Sequence, residues 1–285
     1  MELREIPGAW KPEPVEDEQV LDPAAGAAAA GLWNQPPPGE HVPPLWHWFH
    51  FLDWPPHSAL GADGHPRVGV FLPPVDDRRR MFAGGRWTRE RPLRYGVATQ
   101  RRRALVSTRT TSGRTGELLF VTVLTELSQD GRTCVSEEQD LVYRSGPSAV
   151  DLRGTPLATT APAEDGLRLH PDATLLFRMS ALTGNHHRIH YDHPYAVGVE
   201  HYPGLVVHGP LLVLHLAETL RRASSPTPDA LEFRLHAPAF AGEPLVAATG
   251  PEPGALRLAS GRNAAHVTAA ARWRTAAGVA ATVRP

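Results

Sequence analysis

Seven of the chain's fifteen histidines crowd into the stretch between Met179 and Glu218: His186, His187, His190, His193, His201, His208 and His215. Imidazole titrates near ~6.5, so these side chains exchange protons at neutral pH without outside help. Gathered ahead of a helical pattern, they mark a candidate site for acid–base chemistry in a loop carried on a rigid scaffold. Metal binding is the other use of such a set, with His187 and His190 three apart and Asp192 or His193 as a further donor. Asp192 stands two residues before Pro194 and predicts a bend there instead of a preformed helical pair, so no metal is expected. The same Asp192 reads first as a brace for that turn. His215 lies in mid-helix among leucines and reads as a satisfied core histidine. His193 and His201 are balanced between surface and site.

Something must hold these groups. HGPLLVLHLAETLRRA follows at 208–223, with Pro210 in a first helical turn and apolar residues nearly all round, which predicts a buried helix. Residues 173–179 ahead of the histidines read as an extended opening. Four strand patterns come after the helix. In LEFRLHA, Leu231, Phe233 and Leu235 alternate with Glu232, Arg234 and His236, and HVTAAARWR alternates in the same way from His266.

The first half repeats this order loosely. Residues 12–44 are rich in Pro, Ala and Gly and predict an irregular arm or short helix over a core; PPLWHWFHFL at 43–52 predicts a short buried helix; 53–100 is loop-rich; 104–111, 117–127 and 133–144 predict antiparallel strands. Ser145–Gly166, with SGPS, RGTP and TTAPAEDG, is the best linker in the chain. An antiparallel sheet wrapped around a central helix accounts for each half, an α+β architecture; two unrelated α+β domains would fit the periodicity as well. The expected division is an arm at 1–35, a first unit at 36–148, a linker at 149–166 and a second unit at 167–285.

Composition narrows the function classes. The 285 residues are 41 % apolar and 21 % charged and contain no apolar run long enough to span a membrane. MELREIPGAWKPEP is acidic and broken by proline, unlike an export signal, so a cytoplasmic location is expected. A lone Cys134 excludes an intramolecular disulfide and a zinc site built on cysteines. With a net charge of −1 and mixed signs along the chain, no nucleic-acid-tracking surface is expected. Lys11 is the only lysine, and the arginine runs 78–80 and 101–103 are candidate patches for the phosphates of coenzyme A or, more simply, solvated strand-end charges.

SALTGNHHRIHYDHPYA followed by YPGLVVHGPL resembles the hydratase-2, or MaoC-like, hot-dog enzymes, and within them the branch of 3-hydroxyacyl-thioester dehydratases and mesaconyl-CoA hydratases. PPLWHWFHFL, SGRTGELLFVTV and EEQDLVYR are similar to that branch's first, degenerate unit, so the resemblance runs from about residue 36 onward. It implies a double hot-dog fold with one active site. It also implies reversible addition of water to an enoyl thioester, or its loss from a 3-hydroxyacyl thioester, on coenzyme A or acyl-carrier protein, with no separate cofactor because the phosphopantetheine arm belongs to the substrate. A homodimer is compatible with such a fold.

In that family an Asp and a His five positions apart work on the water. His190 matches the His, while the Asp position holds Asn185 and the wider family's Asn is replaced by His187. An amide orients water but takes no proton, so the base must be His190 or a neighbour. The resemblance then casts His190, Asn185 and Gly209 as catalytic, the last by offering backbone N–H at the helix start to an enolate oxygen. His187, Tyr191, His208, Pro210, Leu211, Trp46 and Trp48 are cast as substrate-binding; for Trp46 and Trp48 core packing is the alternative. Two rival readings stay open: a hot-dog thioesterase, and a subunit that binds acyl thioesters without turning them over.

Overall fold

The structure is a computed structural model, and it describes residues 3–75, 79–113, 116–144, 152–222, 227–250, 252, 254–274 and 280–281. Arg78 and the opening of the expected linker, 145–151, lie outside the described residues. In chain order the first half contains α1 (Ile6–Ala9), β1 (Val15–Val20), α2 (Pro23–Ala30), β2 (Arg79–Arg89), β3 (Ala98–Gly113), β4 (Gly116–Gln129) and β5 (Arg132–Arg144). The second half contains β6 (Leu167–Leu169), α3 (Ala173–Thr183), α4 (His193–Gly198), α5 (Gly209–Arg222), β7 (Ala230–Leu235), β8 (Leu245–Thr249), β9 (Ala255–Ser260), β10 (Val267–Arg274) and β11 (Ala280–Ala281). All strand pairs are antiparallel, in the order β1-β3-β4-β5-β2-β7-β10-β9-β8-β6, with β11 against β10.

Within the sheet the two halves join where β2 pairs with β7, from Gly84↔Arg234 to Thr88↔Ala230. Glycine makes that approach feasible. A Cβ at Gly84 would stand 2.6 Å from the Phe233 carbonyl oxygen, and one at Gly85 would stand 2.7 Å from both the Glu138 carbonyl and the Phe233 ring. The β2–β5 register shifts between Phe82 and Gly84, which turns Phe82 toward the second half.

The predicted strands of the first half are present as β3, β4 and β5. Two further strands carried no clear period. β2 lies inside the stretch read as loop, and β1 lies inside the stretch read as an arm. Charge explains β1: Asp17 and Glu16 oppose Arg101 and Arg102 across the ladder, Arg101 forms an ion pair with Asp17, and Arg102 reaches Glu126 at 3.0 Å. The run Arg101–Arg103 is therefore paired on the sheet, with Arg103 3.9 Å from Asp53.

Two expected elements are corrected. Residues 173–179 are not extended but belong to α3, because Asp172 caps the helix by accepting from the Leu175 N–H at 2.7 Å and the buried Leu176, Met179 and Ser180 share one face. The aromatic stretch after Pro44 is not a helix equivalent to α5 but a single 3-10 turn, Trp46–Phe49, entered from Leu45 in the left-handed region at φ 66°. The turn is held by side chains: buried Glu137 accepts from Trp48 Nε1 at 2.9 Å and pairs with His47 Nε2 at 2.5 Å.

Among the described residues α5 is the longest helix and the most deeply buried. Its Leu211, Leu212, Val213, Leu214, His215, Leu216, Glu218 and Leu220 are enclosed by β6, β8, β9 and β10 on the sheet side, within a core that also takes Trp33, Trp46, Phe49 and Trp87 from the first half. His215 is the core histidine expected, accepting from Trp33 Nε1 at 3.1 Å and bonding the Leu167 carbonyl at 3.0 Å through its other nitrogen. Among the described residues, no helix is long and apolar enough to cross a membrane.

Candidate active site

The histidine stretch folds into a loop between α3 and α5. Asn185 opens it, with its Oδ1 accepting from the His187 N–H at 3.0 Å. That bond braces the turn. The Asn185 amide N–H groups take no part in that brace. A 3-10 turn follows at Arg188–His190, and the strand-like segment after Gly204 returns alongside it, Val206 N–H bonding the Ile189 carbonyl at 3.0 Å.

His190 is consequently buried and held by the backbone. Its Nδ1 bonds the Val206 carbonyl at 2.7 Å, so Nδ1 carries the proton and Nε2 presents a lone pair. The ring stacks on His208 at 3.7 Å between centroids and 17° between planes, and His187 meets it edge-on at 5.6 Å. His208 is fully buried just ahead of α5; its Nε2 bonds Ser180 Oγ at 2.9 Å, while its Nδ1 has no hydrogen-bond partner among the described residues.

Burial keeps the cluster neutral. It lowers His190 from 6.5 to about 4, opposed by the bond to the Val206 carbonyl and assisted by nearby His65. His187 and His208 are pushed down in the same direction, again first by burial and then by their charged or chargeable neighbours. A neutral imidazole with a free lone pair is what a general base requires. Because His190 stays deprotonated well into acid, the acid limb of kcat/KM is expected near pH 4 and not near the ordinary ~6.5. Stability is expected to decline sooner than that. The unfolded chain takes up protons at His50, His190 and His215 from pH 6.5 downward, while the folded chain resists to about 4, so Tm is expected to fall across that interval and to be flat above it. An acid limb centred at ~6.5, measured within the pH range where the fold persists, would exclude His190 as the base.

Two residues that the sequence reading missed come from the far half of the chain. The turn Gly61–Arg67 reaches over the histidine loop: the Asp63 carbonyl accepts from Arg188 N–H at 2.8 Å and the Ala62 carbonyl from Arg188 Nη1 at 2.9 Å. Gly64, at φ 91°, lies so close to His186 that a Cβ would stand 2.0 Å from its carbonyl oxygen. The Asp63 carboxylate accepts from the His65 N–H at 3.0 Å and contacts His65 Nδ1 at 3.0 Å, and the His65 ring packs on His187 with centroids 4.1 Å apart. Asp63, His65 and His187 each bring a donor atom within 4.8 Å of the others. The only signal in the sequence was the short Asp-Gly-His turn, which carries no chemistry until His187 is placed beside it.

The remaining predicted residues divide. Gly209, Pro210 and Leu211 form the first turn of α5 beside His208, where the first N–H groups have no helical acceptor. Gly209 packs against Leu235 and Phe82, and Trp48 meets Phe82 and Phe233 edge-on at 5.9 and 6.0 Å, so Trp48 belongs to the apolar wall near this helix start. Trp46 does not. It stacks on Trp33 at 5.9 Å and lies under Arg221 of the last turn of α5, a helix about 21 Å long, so it packs the core at the end remote from His208. Tyr191 is half-exposed and turns its hydroxyl back to the His186 carbonyl at 3.1 Å, which places it on the outer surface of the loop. Asp192 caps α4 through the Tyr195 N–H and forms an ion pair with Arg188, the turn brace expected.

A family model for hydroxyacyl-thioester dehydratase type 2 matches residues 45–241, from the aromatic turn through the whole histidine loop and α5. The chain belongs to the hydroxyacyl-thioester dehydratase type 2 family. A mesaconyl-C(4)-CoA hydratase of Chloroflexus aurantiacus is 46 % identical over 241 residues, covering 81 % of this chain and 84 % of that protein. A mitochondrial hydroxyacyl-thioester dehydratase type 2 of Schizosaccharomyces pombe is 27 % identical over 228 residues, covering 71 % and 75 %. The crystal structure of a MaoC-like dehydratase from Phytophthora capsici superposes with a TM-score of 0.64 over 98 % of this chain and 100 % of that one, at 12 % identity. This member of the dehydratase family is thus a hydro-lyase of the hydratase and dehydratase type, with the α+β antiparallel architecture of MaoC-like hot-dog dehydratases.

Proposed function

We propose that the chain hydrates an enoyl-CoA of the mesaconyl-C(4) type, and dehydrates the corresponding 3-hydroxyacyl thioester, with His190 as the proton-transfer group. The observation that carries this reading is the buried His190, neutral and with Nδ1 tied to Val206, beside the first turn of α5. Its Nε2 takes a proton from water as the water oxygen bonds to the β-carbon. The double bond's electrons move toward the thioester carbonyl, where N–H groups of the first α5 turn meet the developing oxyanion. The imidazolium then gives its proton to the α-carbon, and neutral His190 returns. Elimination is the same path reversed. Asn185 orients the water through its amide N–H groups, which the brace to His187 leaves unused.

The fold supports a reading as two hot-dog units joined at the β2–β7 seam, the second holding the buried helix and the first supplying Trp48, Phe82 and the Asp63 turn as pocket walls. Incubation of the purified chain with mesaconyl-C(4)-CoA, crotonyl-CoA and a 3-hydroxyacyl-CoA in H₂¹⁸O, followed by mass analysis, tests the reaction. Gain or loss of one water with the thioester intact is expected; release of free CoA would show a thioesterase, and no change would favour a binding subunit.

A further inference from the structure

Water addition to a mesaconyl-C(4) thioester poses a requirement that a simple enoyl group does not. The carbon that receives the water also bears a methyl group and a free carboxylate. Whatever acts as base must therefore have, within a few ångströms, a seat for an anion. Asp63, His65 and His187 stand near His190 and take no part in the proton transfers.

We propose that His65 and His187, braced by Asp63, form the seat of that carboxylate, so that the preferred substrate is a monothioester of an unsaturated dicarboxylic acid bearing its free carboxylate on the carbon that takes up water. The inference rests on the hydration reading and specifies its substrate. His65 packs on His187 at 4.1 Å, and His187 meets the His190 ring at 5.6 Å, so the pair begins one side chain away from the base. Asp63 accepts from His65 at both its backbone N–H and its Nδ1, so His65 acts as the imidazolium partner of that carboxylate and still presents its Nε2–H.

The surroundings favour an anion over a cation. Arg79 and Arg80 are close enough to His187 for their charge to lower its basicity; Arg79 is paired with Glu200 at 2.7 Å, while Arg80 is exposed. Among the described residues, Asp63, Asp192 and Glu200 each already have a basic partner, in His65, Arg188 and Arg79. A divalent metal at Asp63, His65 and His187 would meet the two arginine charges unfavourably, whereas a carboxylate would gain charge-assisted hydrogen bonds from the imidazole N–H groups. The arrangement also gives the first half of the chain a direct part in selectivity, because His65 arrives on its Gly61–Arg67 turn.

The test is the ratio of kcat/KM for mesaconyl-C(4)-CoA to that for crotonyl-CoA, which lacks the carboxylate, in the full chain and in His65→Ala and Asp63→Asn. The ratio is expected to fall about tenfold or more in His65→Ala, mainly through KM for the dicarboxylic substrate, and in the same direction in Asp63→Asn, which keeps the backbone bond to Arg188. Equal losses on both substrates would mean that the turn only supports the fold, and an unchanged ratio would mean that the carboxylate lies elsewhere; either overturns the proposal. A native chain that hydrates crotonyl-CoA but not mesaconyl-C(4)-CoA would overturn it while leaving the hydro-lyase standing. Inactivity on both would remove the hydration reading itself.

Discussion

Replacing His190 with alanine is expected to lower kcat by about 10²- to 10⁴-fold, the range that general acid–base groups contribute. One imidazole serves both proton transfers in the scheme, and its neighbours cannot simply take over. His208 bonds Ser180 through its Nε2, and His187, held to the Asn185 bracket through its backbone, is made a weaker base by burial. The structural cost should be smaller. Removing the ring leaves the Val206 carbonyl without its partner and opens space beside His208, a penalty on the order of 1–3 kcal/mol. That corresponds to a Tm lower by several degrees in a chain of this size. Single-turnover hydration with parallel thermal melts separates the two effects. Activity near that of the native chain in a folded His190→Ala protein would reject His190 as the proton-transfer group.

Gly64→Ala should be the most damaging change outside the histidine loop. Two causes add. The backbone at φ 91° is in a region that side chains with a Cβ rarely adopt, costing about 1–3 kcal/mol, and the new Cβ would sit 2.0 Å from the His186 carbonyl, a backbone atom that cannot swing aside as a side-chain end would. The Gly61–Arg67 turn must then retreat, weakening the Asp63–Arg188 and Ala62–Arg188 bonds that tie it to the loop carrying His190. At least a tenfold loss of kcat/KM is expected together with a lower Tm, because a displacement of about 1 Å at a catalytic group costs on that scale. Gly61→Ala is the milder comparison in the same turn, since its Cβ would meet the Asp63 side chain at 3.0 Å, the His65 carbonyl at 3.4 Å and the Arg67 side chain at 3.7 Å, with no positive φ. Native-like kinetics in Gly64→Ala would show that the turn from the first half does not position the site.

The readable features were those written in consecutive residues. The histidine loop, the Gly209-Pro210 helix start, the enclosed α5 and the alternation in β7 and in Val267–Arg272 each depend on neighbours within a dozen positions, so periodicity and motif length suffice to find them. Asn185 in place of a carboxylate, and the expectation that His190 works as a base without it, come from the resemblance of this motif to the family. Where local preference was weak, reading failed. Residues 173–179 read as extended but form a helix that Asp172 caps, and PPLWHWFHFL reads as a helix but is one turn that buried Glu137 holds.

Tertiary structure alone decided what stands opposite the motif. β1 joins the sheet because its acids meet Arg101 and Arg102 on a strand about 85 positions away, and β2 becomes the seam because two glycines let β7 approach. Asp63 and His65 come to His187 across more than 120 residues, and Trp46 goes to the remote end of α5 while its neighbour Trp48 reaches the helix start. No local pattern encodes such meetings. They are selected by chain folding, when burial of apolar area and pairing of charges reward contacts that the spacing of residues along one strand or helix cannot express.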